Sequence, residues 1–325
     1  MTFYSTVMKA IEVKNLRKLY PKKIPLPFRK IEWFEALKGI TFNVKKGELF
    51  GLLGPNGAGK TTTIKILTTL LEPTSGEARV LGFDIVKEAR EIRKRINLVA
   101  EGERTLYWRL TAYENLRYFA SIYYVPKKVA EERIRNLLHM VGLWDRKDDL
   151  VMNYSRGMKQ RLAIAKALIN DPEVLFLDEP TLGLDVQSAI FVRELIKKLV
   201  EEEKKTVLLT THYMHEAEEL CDRIAIIDHG RIIALDTPEG LKKLVRKDTI
   251  VEVRVKNYNG ENPFGLAKIK EEGEKVVLRG PLDEEDIPKL VEFLVKNNAK
   301  VLSVEVKEPT LEDVFIKLTG RGLRD

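Results

Sequence analysis

Three short groups of residues have types and spacings that suit phosphate chemistry. Gly54, Pro55, Asn56, Gly57, Ala58, Gly59, Lys60 and Thr61 fit the pattern G-x-x-x-x-G-K-[ST] at every position, with Thr62 continuing the run. Glycines let the backbone curl so that successive N–H groups point at phosphate oxygens, and a following helix adds favourable partial charge. Lys60 is the mobile cation for β- and γ-phosphates, and the Thr61 hydroxyl is a ligand for Mg²⁺. The second group, Asp178 and Glu179, ends the apolar run Val174–Leu177. Ligands of open α/β sheets lie off the carboxyl ends of strands, so Asp178 is placed to hold Mg²⁺ and Glu179 to orient and deprotonate an attacking water. The third is Tyr154-Ser155-Arg156-Gly157-Met158. Ser155 is a good N-cap and Gly157 leaves N–H groups exposed, which makes a second anion site in a chain with one phosphate loop.

These groups need a scaffold. Leu49–Leu53 is an apolar run that reads as a buried strand, and Thr62–Leu67 has helical spacing, so the loop joins strand to helix. Residues 8–104 read as strands alternating with helices around the phosphate loop. From about 105 to 170 the pattern turns helical, with amphipathic stretches at Glu114–Tyr124, Val129–Val141 and Met158–Ile169. Strands of the buried, parallel kind return at Val174–Leu177, Thr206–Thr211 and Arg223–Ile227. We therefore expect one α/β domain over 8–240 with a helical insert at about 105–170. A small α+β domain over 245–325 is expected to hold two to three strands, at 250–255, 276–278 and 301–306, with helices near 287–295 and 311–319.

Composition narrows the class. The net charge is +7, and residues 14–38 carry eight Lys or Arg against two acids, concentrated around the proline-rich stretch 21–30. Charge confined to one loop is not the footprint of a nucleic-acid binder, and none is expected as partner. No apolar run approaches 18 residues, so nothing here spans a bilayer as a helix, and the first residues lack the apolar core of a leader. A single cysteine, Cys221, suits a reducing compartment. His212, His215 and Glu216 invite a metal reading, but His212 ends a strand and the helical i, i+3 geometry is not available to the histidine pair.

With all three groups in order, the chain resembles the nucleotide-binding subunit of ATP-binding-cassette (ABC) transporters over about residues 10–240. Tyr154–Met158 stands where that family has its signature loop, with Arg156 and Met158 replacing Gly and Gln of the commonest form. The resemblance implies an α/β fold: a P-loop NTPase core of the ABC ATPase type with a helical insert subdomain and a small C-terminal α+β domain. It implies that Leu182–Asp185 couples two sites across a dimer, that His212 senses the γ-phosphate, and that Tyr20 stacks on adenine. Glu101 takes the metal-and-water position where the family usually has glutamine, with Glu103 in competition.

The family mechanism has ATP, with Mg²⁺, between the phosphate loop of one subunit and Ser155–Met158 of another, identical or different. Glu179 activates water, and the ATPase cycle drives a separate integral membrane permease from the inner face of the cell membrane. Residues near Arg109–Tyr118 would meet that partner. Glu308–Phe315 with Leu318–Gly320 is similar to the tail of ABC-2-type exporter ATPases. The alternative is a non-transport ATPase of the same superfamily. A GTP switch fits worse, since the Asn-Lys-x-Asp guanine motif is missing from the sequence.

Overall fold

The computed structural model describes residues 8–22, 32–100, 106–245, 249–258, 260, 264–307 and 309–320. The chain divides into two compact units, Met1–Leu235 and Asp236–Asp325.

In the first unit, β1 (Lys9–Pro21) and β2 (Trp33–Lys45) pair antiparallel. Next comes β3 (Leu49–Leu53), buried at all five positions, and then α1 (Lys60–Leu67). β4 (Ser75–Val80) and β5 (Phe83–Asp84) extend the first sheet in the order β2-β1-β4-β5. The alternation expected over 8–104 thus takes a different form, because four of its strands close a separate antiparallel sheet. Antiparallel pairing needs only a short connection, whereas parallel neighbours need a crossover.

After α2 (Ala89–Arg95) and β6 (Ile96–Val99), three helices follow: α3 (Ala112–Ile122), α4 (Lys127–Met140) and α5 (Arg156–Ala167). Thr111 and Glu114 form a reciprocal capping box at the start of α3, which fixes its first turn. Then come β7 (Val174–Asp178), α6 (Val186–Glu201), β8 (Thr206–Thr211), α7 (Met214–Leu220), β9 (Arg223–Asp228) and β10 (Arg231–Asp236).

The second sheet has the order β10-β9-β3-β8-β7-β6, and β3 pairs in parallel with both β8 and β9. Strands β7 and β8 are buried throughout, which is why they read as unbroken apolar runs. One core joins the two sheets, with Phe42 of β2 stacked on Phe50 of β3 at 5.4 Å between ring centroids. Helix α1 touches β2, β4 and β7, so the phosphate loop that precedes it is gripped from both sheets.

The second unit begins with α8 (Pro238–Lys242). It continues with β11 (Thr249–Lys256), β12 (Ala267–Glu272), β13 (Lys275–Leu282), α9 (Ile287–Lys296), β14 (Lys300–Lys307) and α10 (Leu311–Thr319). Its strands form a four-stranded antiparallel sheet in the order β12-β13-β11-β14, around Val251, Val253, Val255, Leu278, Leu290 and Leu294. The strand that sequence reading misses is β12. It lies at the sheet edge, where the lysines and glutamates of Ala267–Glu272 are a typical guard against further pairing.

Candidate active site

The chemistry collects where β3, β7 and β8 end. Their carboxyl ends lie side by side, since Leu53 pairs with Thr211 and Asp178 with Thr210. The loop after β3 turns at Gly59, whose φ of 113° and closeness to Ala36 O (2.9 Å from an added Cβ) leave no room for a side chain. Lys60 folds back over this loop: its Nζ donates to Gly54 O at 2.6 Å and Pro55 O at 3.2 Å. The same ammonium pairs with Glu179 Oε1 at 3.2 Å, both side chains being more than nine-tenths buried. The other oxygen of Glu179, Oε2, lies 2.8 Å from His212 Nδ1.

Asp178 is buried and accepts hydrogen bonds from Thr210 Oγ1 at 2.6 Å and Thr61 Oγ1 at 3.2 Å. Thr61 and Asp178 therefore present two hard oxygen donors, a hydroxyl and a carboxylate, at one place, a donor set that suits Mg²⁺ completed by phosphate and water. Glu179 takes a left-handed φ of 50°, unusual for a side-chain-bearing residue. Its N–H is held by Thr210 O and Thr210 Oγ1, both at 3.1 Å, so the conformation is imposed by the neighbouring strand.

A cleft of about 490 Å³ opens over these groups. Tyr20, Pro55, Asn56, Gly57, Gly59, Lys60, Thr61, Thr62, Glu179 and His212, all singled out from sequence, line it. Two aromatics share its outer end: Tyr20 of β1 is paired in register with Phe34 of β2. Phe34 escaped the sequence reading, although the aromatic pair Trp33-Phe34 just after the basic, proline-rich stretch 21–30 was a usable signal. Thr210 was missed as well, because a threonine in an apolar strand reads as β-propensity alone.

Ser155, Arg156, Gly157, Met158 and Asp185 do not line the cleft. They form a neighbouring cluster. Ser155 Oγ caps α5 by accepting from Met158 N at 3.2 Å. An added Cβ at Gly157 would collide with the Ser188 hydroxyl. Asp185 caps α6, accepting from Ser188 N at 2.9 Å and Ser188 Oγ at 2.7 Å, and these hydrogen bonds hold its carboxyl below the usual range. Arg156 Nη2 donates to Leu182 O at 2.9 Å, which ties this cluster to the segment after Glu179. Behind it, Tyr154 donates to Arg146 O at 2.6 Å, and burial pushes its phenol up to about 12. Glu101 and Glu103 lie outside the described residues.

In the helical part, Tyr107, Trp108 and Tyr118 are exposed at 48%, 46% and 42%. The backbone that presents them is pinned by Asn115, fully buried. Its Oδ1 accepts from Tyr107 N at 2.8 Å, and its Nδ2 donates to Tyr107 O at 3.0 Å and Thr111 O at 2.8 Å.

A family model described as "ABC transporter" matches residues 37–182, and one described as "ATP-binding protein DrrA1-3-like, C-terminal domain" matches 237–319. The linearmycin resistance ATP-binding protein LnrL of Bacillus subtilis is 38% identical, over 97% of this chain and all of its own length. A fluoroquinolones export ATP-binding protein of Mycobacterium tuberculosis is 40% identical, over 97% of this chain and 95% of its own. Among solved structures, the dimeric post-hydrolysis state of the ATP-binding cassette MJ0796 bound to ADP and Pi aligns with a TM-score of 0.62 and 30% identity. It covers 70% of this chain and 98% of that one.

Proposed function

The chain belongs to the ATP-binding proteins of ABC transporters, and on that premise we propose that its hydrolysis of ATP powers an ABC-2-type exporter whose path is lined by a separate membrane subunit. It is an ATPase of that family. The observation that carries the catalytic reading is the buried set Lys60, Asp178, Glu179 and His212 at adjoining strand ends. Export is supported by the tail, which matches the DrrA-like C-terminal domain, and by full-length relatives named for drug export and resistance.

In this reading the phosphate loop binds the β- and γ-phosphates, with Lys60 neutralising their charge. Thr61 and Asp178 would hold Mg²⁺, which when bound supplies further neutralisation of the phosphate oxygens. Glu179 accepts the proton of the attacking water, oriented by His212 at its second oxygen. Tyr20 carries the adenine. Ser155–Met158 and Asp185, clustered outside the cleft, serve the nucleotide of a second subunit, and Glu101 approaches the metal and water.

The membrane partner docks on the exposed aromatics around Tyr107–Tyr118, held in one shape by Asn115. Among the described residues no helix is long and apolar enough to cross a membrane, which leaves transport to the partner. The protein would work at the inner face of the cell membrane, in two domains, 8–240 and 245–325.

The test is to purify the Glu179→Gln variant from native membranes with ATP and Mg²⁺ and identify its companions. A polytopic membrane subunit is the expected result. Ribosomes, DNA or no membrane protein would overturn the transport reading in favour of a non-transport relative.

A further inference from the structure

Glu216 takes no part in the chemistry above, yet it is a carboxylate with 3% exposure beside the catalytic segments. It sits in α7, which starts two residues after His212. Its Oε1 accepts from Thr181 Oγ1 at 2.6 Å, and Thr181, also buried, lies two residues after Glu179. His215, its neighbour in sequence, points to solvent with a side chain 85% exposed, so the pair is no metal site.

The two chain segments leaving β7 and β8 are thus tied three times in succession. Glu179 N bonds to Thr210, the Glu179 carboxylate meets His212, and Thr181 bonds to Glu216. The last tie is made away from solvent, where a hydrogen bond to a carboxylate is strong and its loss leaves a polar group unsatisfied. Thr181 also sets the turn into Leu182–Asp185: Leu182 N donates to Glu179 O and Leu184 N to Thr181 O, both at 3.2 Å.

We propose that Glu216 is a positioning residue for hydrolysis: by holding Thr181 it fixes the backbone after Glu179, and with it the alignment of Glu179 on His212. The proposal rests on the reading of Glu179 as the base. It separates nucleotide binding, made by the phosphate loop, from turnover, made by the aligned carboxylate.

The experiment is steady-state ATP hydrolysis by the full-length chain carrying Glu216→Leu, Glu216→Gln or Thr181→Val, below the melting temperature of each. Glu216→Leu removes the acceptor and should lower kcat by roughly tenfold to a hundredfold, the cost of a small misplacement, with KM for ATP unchanged. Glu216→Gln keeps an acceptor oxygen and should restore most of that kcat. Thr181→Val should match Glu216→Leu, and the two together should lose no more than either alone. An undiminished kcat in Glu216→Leu, or no rescue by Glu216→Gln, overturns the inference. Undiminished turnover in Glu179→Gln would instead overturn the base assignment, so the two failures are told apart.

Discussion

Two helices of the first unit carry glycine at their starts, α1 at its N-cap and α5 within its first turn, and those turns are completed differently. Helix α1 has a left-handed glycine at its N-cap and no side chain bonded to its free N–H groups, while Lys60 and Thr63 are buried behind it. Helix α5 spends its N-cap hydroxyl on its own Met158 N–H and leaves Ser155 and Arg156 exposed. The first start is surrounded by a cation, two carboxylates and a histidine. The second has its own hydroxyl, an arginine engaged with Leu182, and beside it the Ser188 hydroxyl and the Asp185 carboxylate that cap α6. A buried cluster of ionisable groups and an exposed, side-chain-capped turn are therefore both built at the start of a helix. What separates them is whether strand ends deliver acids beside the helix.

That contrast breaks most sharply at Glu179. Glu179→Gln should slow ATP turnover by about 10²–10⁴-fold while nucleotide binding survives, as measured by single-turnover hydrolysis beside equilibrium binding. At the second start, Gly157→Ala forces a methyl into Ser188 and displaces the exposed turn. Turnover should fall by roughly tenfold, with ATP binding to the monomeric chain unchanged, and this difference locates Gly157 in the dimer rather than in the cleft. Weaker binding by the monomer would place the two starts in one site. Ser155→Ala loses an N-cap and should cost about 1 kcal/mol of stability, read by denaturant unfolding, on top of a drop in turnover.

The smallest effect concerns pH. Burial, reinforced by the charge of Glu179, raises the Glu216 carboxyl above its ordinary value of 4.5, against the pull of the Thr181 and Thr211 hydroxyls. A raised native value means that protonation favours the folded chain. The contribution is complete below the unfolded value and is lost as pH rises through the native one. Glu216→Gln should flatten that part of the stability profile, read in unfolding experiments from pH 4.5 upward.

Contiguous signals were the easiest to read from the sequence. Gly54–Thr61 and Asp178-Glu179 are local patterns in which residue type states the chemistry, and apolar runs such as Val174–Leu177 and Thr206–Thr211 state buried parallel strands. Contacts made across the fold were harder. The pairing of Tyr20 with Phe34 depends on the register of β1 and β2, which residue type alone does not determine. Thr181 and Glu216 are 35 positions apart and meet only because β7 and β8 are neighbours. The antiparallel character of the first sheet and the charged edge strand β12 were hidden for the same reason: pairing partners are a property of topology, and composition describes only the strand itself.

The position of β3 has a consequence for how this protein is made. Its five apolar residues pair with Val207–Thr211 on one side and Arg223–Ile226 on the other, both from the far end of the unit. On the ribosome, β3 must therefore wait until about 160 further residues have been synthesised, on the order of ten to thirty seconds. During that interval the hairpin of β1 and β2 is already able to close, but the phosphate loop has no floor beneath it. A nascent chain stalled before residue 206 would expose Leu49–Leu53 without partners and be a client for chaperones, and ATP could not rescue it by binding.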